Sequence, residues 1–208
     1  MEETAPKIVI LILAGGKSSR MGGIKQLLPW KGATLLENAI KQANMSNATD
    51  IMVVLGAHAS EIRSKINERD VLFIENKDWE SGLGTSISCG IDHILRNQIR
   101  AKGVMILLAD QPLVDTAYIN KLIDAFLQGS HGMITTKYGN REGVPAIFDQ
   151  RFFTDLLALN KDFGAKELIK KHMHSNLGIH PDGKALDIDT QEDYLALLQR
   201  DSKENNKR

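Results

Sequence analysis

A glycine-rich, basic segment near the amino terminus carries the strongest chemical signal in the sequence. Residues 13–25, LAGGKSSRMGGIK, contain four glycines, two lysines and an arginine. Glycines let backbone N–H groups approach a ligand closely, and several such groups together form an anion-binding concavity. With the positive charges of Lys17, Arg20 and Lys25 added, the segment predicts a polyphosphate ligand.

Two better-known phosphate-binding motifs do not fit this segment. A Walker A motif would need a glycine five residues before Gly16, where the sequence has Leu11. The dinucleotide-binding spacing of three glycines does not occur between Ala14 and Lys25. A long surface loop is the alternative, but a position directly after an apolar strand favours ligand binding.

Asp110 is a candidate for metal binding, and two further aspartates lie close together later in the chain. Asp110 follows the apolar run 104–108, and Asp187 and Asp189 lie two residues apart. Mg²⁺ prefers a few carboxylate oxygens, with water and phosphate completing its coordination. Helix capping is the alternative role for Asp110, although Asp115 is better placed to cap the helix that follows. For Asp187 and Asp189 the alternative is solvation at the end of a strand, with Thr190 capping the next helix.

The elements that must position these residues alternate in type through the first half of the chain. Thr34 and Glu37 have the spacing of a capping box before one of the helices. The alternation predicts an α/β fold with a mostly parallel sheet and helices on both faces, so that the loops after the strands meet at one edge. Strands are predicted at 8–13, 51–55, 71–75 and 104–108, and helices at 35–44, 60–66, 85–97 and 115–127.

The second half has a different pattern. Two strands, 133–138 and 143–148, are joined by Gly139-Asn140-Arg141-Glu142 and predict a β-hairpin. Short helices at 151–159 and 164–171, a last strand at 185–188 and a final helix from Thr190 to about Gln199 follow. We expect a single domain over residues 1–200, with a frayed, charged tail at 201–208.

Composition narrows the functional class. Lys plus Arg and Asp plus Glu number 26 each, which argues against a nucleic-acid-binding surface. The single cysteine, Cys89, excludes an internal disulfide and suits a reducing cytoplasm. We expect no signal peptide and no membrane association, since no apolar run approaches the roughly 20 residues of a membrane span.

The glycine-rich segment, continued by Gln26-Leu27-Leu28-Pro29, resembles the signature loop of the MobA-like nucleotidyltransferases that activate molybdopterin. The resemblance implies a Rossmann-like three-layer α/β/α sandwich of the GT-A, nucleotide-diphospho-sugar transferase type, with a small β-hairpin insertion. Further matching segments follow in the same order: GLGTS at 82–86, DQP at 110–112, GVP at 143–145, GAKE at 164–167 and DIDTQED at 187–193.

The resemblance also implies roles for individual residues. Catalytic roles fall to Arg20, Lys25 and Asp110, and Mg²⁺ is expected on Asp110 and Asp189, with Asp187 a weaker candidate. Gly143 and Pro145 would face the acceptor. Nucleotide-binding roles fall to Leu13, Ala14, Gly15, Gly16, Ser18, Gly84 and Ser86.

The reaction implied is transfer of NMP from a nucleoside triphosphate to the phosphate of molybdopterin, with release of pyrophosphate. SSRMG, LLPWKG and FGAKELIKKH resemble the cytidylyltransferase branch, whereas LAGG at 13–16 is the guanylyltransferase form, so CTP ranks only slightly ahead of GTP. A molybdenum hydroxylase or its maturation factor is a possible partner. The alternatives are a sugar-phosphate nucleotidylyltransferase and a nucleotide-binding chaperone that delivers cofactor without catalysis.

Overall fold

A computed structural model describes residues 7–68, 70–160 and 164–205, with side chains through residue 202. The strands are β1 (Ile8–Ala14), β2 (Pro29–Trp30), β3 (Ala33–Thr34), β4 (Asp50–Leu55), β5 (Leu72–Glu75), β6 (Gly103–Leu108), β7 (Met133–Tyr138), β8 (Arg141–Asp149) and β9 (Asn176–Ile179). The α-helices are α1 (Leu35–Asn44), α2 (Ala59–Lys65), α3 (Leu83–Arg96), α4 (Thr116–Gln128), α5 (Phe153–Leu157), α6 (Lys166–Lys171) and α7 (Gln191–Asn205).

Seven strands form one sheet in the order β5-β4-β1-β6-β8-β7-β9. Strand β8 is antiparallel to both of its neighbours, and the other paired neighbours are parallel. Strand β7 therefore runs in the same direction as β6, and its carboxyl end lies at the same edge as those of β1 and β6. The predicted α/β fold is confirmed, and the predicted hairpin forms part of the central sheet.

Strand β1 explains why the sheet is covered on both faces. Its seven residues are all buried, and successive side chains point to opposite faces. Ile8, Ile10 and Ile12 pack with apolar residues of α1, α2 and α4. Val9 and Leu11 pack with those of α3, α5 and α6 on the other face. The result is the three-layer arrangement that the continuous apolar run predicts.

Helix starts follow the capping signals in the sequence. Thr34 and Glu37 form the predicted capping box at α1, each side chain accepting a hydrogen bond from the other residue's backbone N–H. Asp115 caps α4 by accepting from the N–H of Tyr118 at 2.9 Å, as expected. These hydrogen bonds satisfy backbone donors that the first turn of a helix leaves free.

Several predicted boundaries were wrong. Residues 185–188 form no strand, because Ile188 makes a single backbone hydrogen bond to the core and no ladder. Strand β9 was not predicted, and the hairpin turn is confined to Gly139 and Asn140, since Arg141 already pairs with Tyr138.

The final helix is longer than predicted, running to Asn205 rather than to about Gln199. The last three residues of the predicted tail and Phe163 of the FGAKELIKKH segment lie outside the described residues. No helix within the described ranges has an apolar stretch long enough to cross a bilayer. The extent of the domain and the fraying of the tail stay predictions.

Candidate active site

The glycine-rich loop leaves the carboxyl end of β1 and folds around one buried side chain, that of Gln26. Gln26 is 4% exposed, and its side-chain amide donates to the carbonyl oxygens of Ala14 at 2.8 Å and Gly16 at 3.2 Å. Its side-chain carbonyl accepts from the hydroxyl of Ser18 at 3.3 Å. Because the loop has no regular structure of its own, these bonds fix the course of its backbone.

Ser18 holds the other end of the loop. It adopts a left-handed backbone conformation with φ of 58°, uncommon for a residue other than glycine. Its hydroxyl accepts from the backbone N–H of Lys25 at 3.1 Å, and its carbonyl oxygen accepts from the N–H of Met21 at 3.0 Å. Ser18, predicted to bind nucleotide, therefore stabilises the conformation of the loop through hydrogen bonds to other loop residues.

Lys25 and Asp110 meet across the floor of the site. The Lys25 ammonium lies 2.5 Å from Oδ2 of Asp110, and these side chains are 15% and 22% exposed. The same ammonium donates to the carbonyl oxygen of Ile188 at 2.8 Å and lies 3.7 Å from Oδ1 of Asp189. A partly buried cation between two carboxylates offsets their mutual repulsion.

The segment around Ile188 reaches this position through tertiary contacts. The N–H of Ile188 donates to the carbonyl oxygen of Asp110 at 3.0 Å, and its side chain is fully buried. Asp189 then faces the glycine-rich loop, where Arg20 approaches its carboxylate at 3.5 Å. Arg20 and Asp189 are both well exposed, so this ion pair contributes little to stability.

Asp187 is hydrogen-bonded to Gln111 rather than to Lys25. Its carboxylate accepts from the side-chain amide of Gln111 at 2.7 Å, and the same amide nitrogen approaches the hydroxyl of Tyr138 at 3.0 Å. Burial raises the pKa of Asp187 above its usual range, against the opposing effect of the Gln111 hydrogen bond. Burial likewise raises the pKa of Tyr138, whose hydroxyl donates to the carbonyl oxygen of Val144. These bonds link the floor of the site to the hairpin.

The opposite wall is built by close backbone packing. A Cβ on Gly56 would lie 2.5 Å from Cβ of Trp79 and 2.7 Å from the carbonyl oxygen of Gly15. The buried side chain of Asn76 donates to the hydroxyl of Ser86 at 3.0 Å. The first turn of α3 is thereby held against the loop, where its backbone N–H groups add positive potential.

These walls line a solvent-open cavity of about 450 Å³ at the edge of the sheet where β1 and β6 end. Predicted site residues account for much of its lining: Leu13, Ala14, Gly15, Gly16, Ser18, Arg20, Lys25, Ser86, Asp110 and Asp189. Lys17, Gln26, Trp79 and Asp187 also line it. Arg20 and Asp110 thus face the same space, as the polyphosphate hypothesis requires.

Three predicted residues lie away from this lining. Gly84 is buried in the first turn of α3. Gly143 and Pro145 are on β8, where the hydroxyl of Thr136 donates to the carbonyl oxygen of Pro145 at 2.7 Å. A Cβ on Gly143 would meet only the ring of Tyr138 within 4 Å. Their roles stay predictions.

The carboxylates suit a metal that takes few protein ligands. Oδ1 of Asp110 is buried and has no hydrogen-bond partner within the part of the chain that the structure describes. An unpaired buried carboxylate oxygen is costly unless a ligand completes it. In those same ranges, no three His, Cys, Asp or Glu side chains converge as a metal cluster. A cation here would take Asp110 and Asp189, with the remaining ligands coming from phosphate and water.

The sequence matches the model of the MobA-like NTP transferase domain over residues 10–176. The match includes most of β1, the glycine-rich loop and Asp110. The chain belongs to this family. Membership supports an NTP transferase activity and agrees with a cavity that combines a phosphate-binding loop with carboxylates.

MobA-like relatives resemble the chain over nearly its whole length. The molybdenum cofactor cytidylyltransferase of Escherichia coli K12 is 24% identical over 191 residues, covering 91% of this chain and 95% of that protein. The nicotine blue oxidoreductase of Paenarthrobacter nicotinovorans is 25% identical over 202 residues, covering 93% and 97%. These names describe different reactions, so family membership alone does not fix the acceptor.

Among solved structures, Rv0371c of Mycobacterium tuberculosis H37Rv superposes with a TM-score of 0.81 and 29% identity, covering 94% of this chain and 99% of that one. A structure of Rv0371c in complex with manganese gives a TM-score of 0.75 and 26% identity, covering 93% and 98%.

Sequence reasoning missed three buried amides that support the site: Gln26, Asn76 and Gln111. Each is at most 4% exposed. Asn76 lies outside the motifs, whereas the other two directly follow predicted catalytic residues. Gln26 follows the predicted catalytic Lys25, and Gln111 follows Asp110. Adjacency to these motifs was the available signal, but the hydrogen-bond partners depend on the folded backbone.

Proposed function

We propose that this protein transfers NMP from a nucleoside triphosphate to the phosphate of molybdopterin, with release of pyrophosphate and a requirement for Mg²⁺. CTP ranks slightly ahead of GTP as donor. The convergence of the glycine-rich loop, Lys25 and Asp110 on one cavity carries the proposal. This arrangement combines an anion-binding backbone with a cation and a carboxylate, as transfer from a polyphosphate requires.

The chain's own groups account for the chemistry through charge and position. The loop backbone, Arg20 and Lys25 would hold the triphosphate and stabilise the charge that develops as pyrophosphate leaves. An oxygen of the acceptor phosphate attacks the α-phosphorus, and the bond to the bridging β-phosphate oxygen breaks. The acceptor is already an anion, so no general base is needed and positioning supplies much of the rate.

Mg²⁺ fits this set of ligands. Asp110 and Asp189 would hold it, and the unpaired Oδ1 of Asp110 supports that assignment. When bound, the ion neutralises charge on the triphosphate and favours a fixed orientation of the reacting phosphates. The Lys25 ammonium provides positive charge beside both carboxylates.

Donor and acceptor are addressed by measuring pyrophosphate release with each of the four nucleoside triphosphates, with and without molybdopterin. We expect release only when molybdopterin is present, fastest with CTP. Turnover with a sugar-1-phosphate and no response to molybdopterin would instead identify a sugar-phosphate nucleotidylyltransferase. Co-purification with a molybdenum hydroxylase without pyrophosphate release would identify a delivery chaperone.

The Asp110→Asn variant tests the carboxylate directly. The amide keeps the shape of the side chain but lacks the negative charge, so transfer should be abolished while nucleotide binding stays largely intact. The matched control is Asp124→Asn, at an exposed position of α4 away from the cavity. Retained transfer by Asp110→Asn at saturating Mg²⁺ would remove Asp110 from the site.

A further inference from the structure

A second cavity, of about 410 Å³, lies between the tip of the β7–β8 hairpin and helix α6. We call it the basic cavity, because four of its lining residues are cationic: Lys137 and Arg141 from the hairpin, and Lys166 and Lys170 from α6. Ile169 and Met173 add apolar surface to the same lining. None of these side chains was assigned a role from the sequence.

The four cations have no hydrogen-bond or ion-pair partner within the ranges that the structure describes. Glu142 is the acidic residue of the lining, but its carboxylate already accepts hydrogen bonds from Thr135 and Asn176. Lys171 of the same helix, by contrast, has an ion-pair partner, since its ammonium lies 4.0 Å from the carboxylate of Asp155. Four cations against one carboxylate leave the lining of the basic cavity with an excess of positive charge.

The topology places this cavity beside the transfer site. Strands β6 and β7 run in the same direction, so the hairpin tip stands at the sheet edge where β1 and β6 end. A Cβ on Gly164, two residues before Lys166, would lie 3.1 Å from Cδ2 of Leu83. Leu83 lines the first cavity. The contact of Leu83 with Gly164 thus connects the lining of the first cavity to the segment that leads into α6.

Clustered like charges repel one another, and a bound anion relieves that repulsion. The chain as a whole has no net charge, so the excess here is local. A concave site of several hundred Å³ with some apolar lining is of a size that suits a small molecule. An anion that also has an apolar body matches both the positive charge and the apolar surface of the basic cavity.

We propose that the basic cavity binds a second anionic group of the acceptor, on the part of that molecule remote from the attacking phosphate. This inference rests on the proposed function, which supplies the acceptor. The nucleoside triphosphate is a less suitable occupant, since the glycine-rich loop already provides its phosphate contacts in the first cavity. The acceptor class is therefore a phosphate ester with an additional negative group and an apolar body.

Equilibrium binding of molybdopterin, followed by its own fluorescence, tests the proposal without requiring turnover. The variants are Arg141→Gln and Lys170→Gln, one from each wall, and their combination. We expect each to raise the Kd for molybdopterin severalfold and the pair to raise it roughly tenfold. Because the lost contacts are ionic, the double variant should also show a weaker dependence of Kd on salt than the wild type.

Lys171→Gln is the control, because Lys171 is a cation of the same helix that does not line the basic cavity. It should leave the Kd for molybdopterin unchanged, and all variants should bind CTP and GTP as the wild type does. Loss of nucleotide binding in the cavity variants would mean that they disturb the fold near the first cavity, and would count against a separate acceptor subsite.

The outcomes distinguish this inference from the proposed function. Equal molybdopterin binding in the wild type and the double variant overturns the inference, even if NMP transfer proceeds. Weaker binding by the double variant, with no pyrophosphate release by the wild type, supports the cavity but removes the transfer function. No binding of molybdopterin by the wild type overturns both the acceptor assignment and this inference.

Discussion

Replacing Gln26 by leucine should weaken nucleotide binding, although Gln26 has no predicted chemical role. Leucine is close in size to glutamine but cannot form the three hydrogen bonds that hold the glycine-rich loop. Those bonds join Gln26 to Ala14 at 2.8 Å, to Gly16 at 3.2 Å and to Ser18 at 3.3 Å. The variant should fold, because the loop lies outside the core of the sheet.

The magnitude follows from these contacts. A typical intramolecular hydrogen bond contributes about 0.5–1.5 kcal/mol net, and two of these three are long, so the set is worth about 2 kcal/mol. If the loop must regain its bound shape before it can hold phosphate, that free energy is lost from binding. The Kd for the nucleoside triphosphate should then rise roughly 30-fold.

Calorimetry with CTP and GTP in the presence of Mg²⁺ measures this effect. The control is Gln42→Leu, which removes a side-chain carbonyl that accepts from the N–H and hydroxyl of Thr116, each at 2.9 Å, away from the cavity. It should lower the free energy of unfolding by a similar amount and leave the Kd unchanged. A folded Gln26→Leu variant with wild-type nucleotide affinity would refute the reasoning.

Two further changes test the packing and the ionisation of the site. Gly56→Ala places a methyl group 2.5 Å from Cβ of Trp79 and 2.7 Å from the carbonyl oxygen of Gly15; it should lower the free energy of unfolding by about 1–3 kcal/mol in urea titrations. Gly23→Ala is the control, because a Cβ at Gly23 would meet no atom within 4 Å, and it should leave the free energy of unfolding unchanged. Equal stability of the two variants would contradict the close packing at Gly56. Burial raises the pKa of Asp187 in the folded state. The protonated carboxyl group therefore stabilises the fold fully below the ordinary carboxyl pKa, and this stabilisation is lost as the pH rises through the raised pKa of the folded state. Asp187→Asn should therefore be more stable than the wild type at neutral pH, with the gain disappearing in acid; a gain that persists in acid would have another cause.

Local signals predicted most of the elements correctly. The run Ile8–Ala14 is buried throughout because a strand between two helical layers has no solvent-facing side. The capping pair Thr34 and Glu37 marks the start of α1, and the position of Asp110 after β6 places it at the sheet edge. Each of these features depends on residues close together in the chain, which is why the sequence alone is sufficient.

Long-range contacts were harder to predict. Strand β9 has four residues at the edge of the sheet and is ordered by pairing with β7, so its own sequence carries little periodicity. The segment 185–188 looks like a strand because it is apolar in part. Ile188 is instead held by its buried side chain and by a backbone hydrogen bond to Asp110, without a ladder to a neighbouring strand. The basic cavity joins a hairpin to a helix about 25 residues farther along the chain, a juxtaposition that topology decides.

The sequence by itself determined the layered α/β fold, the glycine-rich loop and the types of residue available for chemistry, since composition and short-range periodicity encode these directly. The tertiary structure decided which of those residues meet. It brings Asp189 beside Lys25 and buries Gln26 under the loop, where the Gln26 amide donates to the carbonyl oxygens of Ala14 and Gly16. The physical reason is that polar groups removed from water must find partners, and only the folded chain determines which partners are in reach.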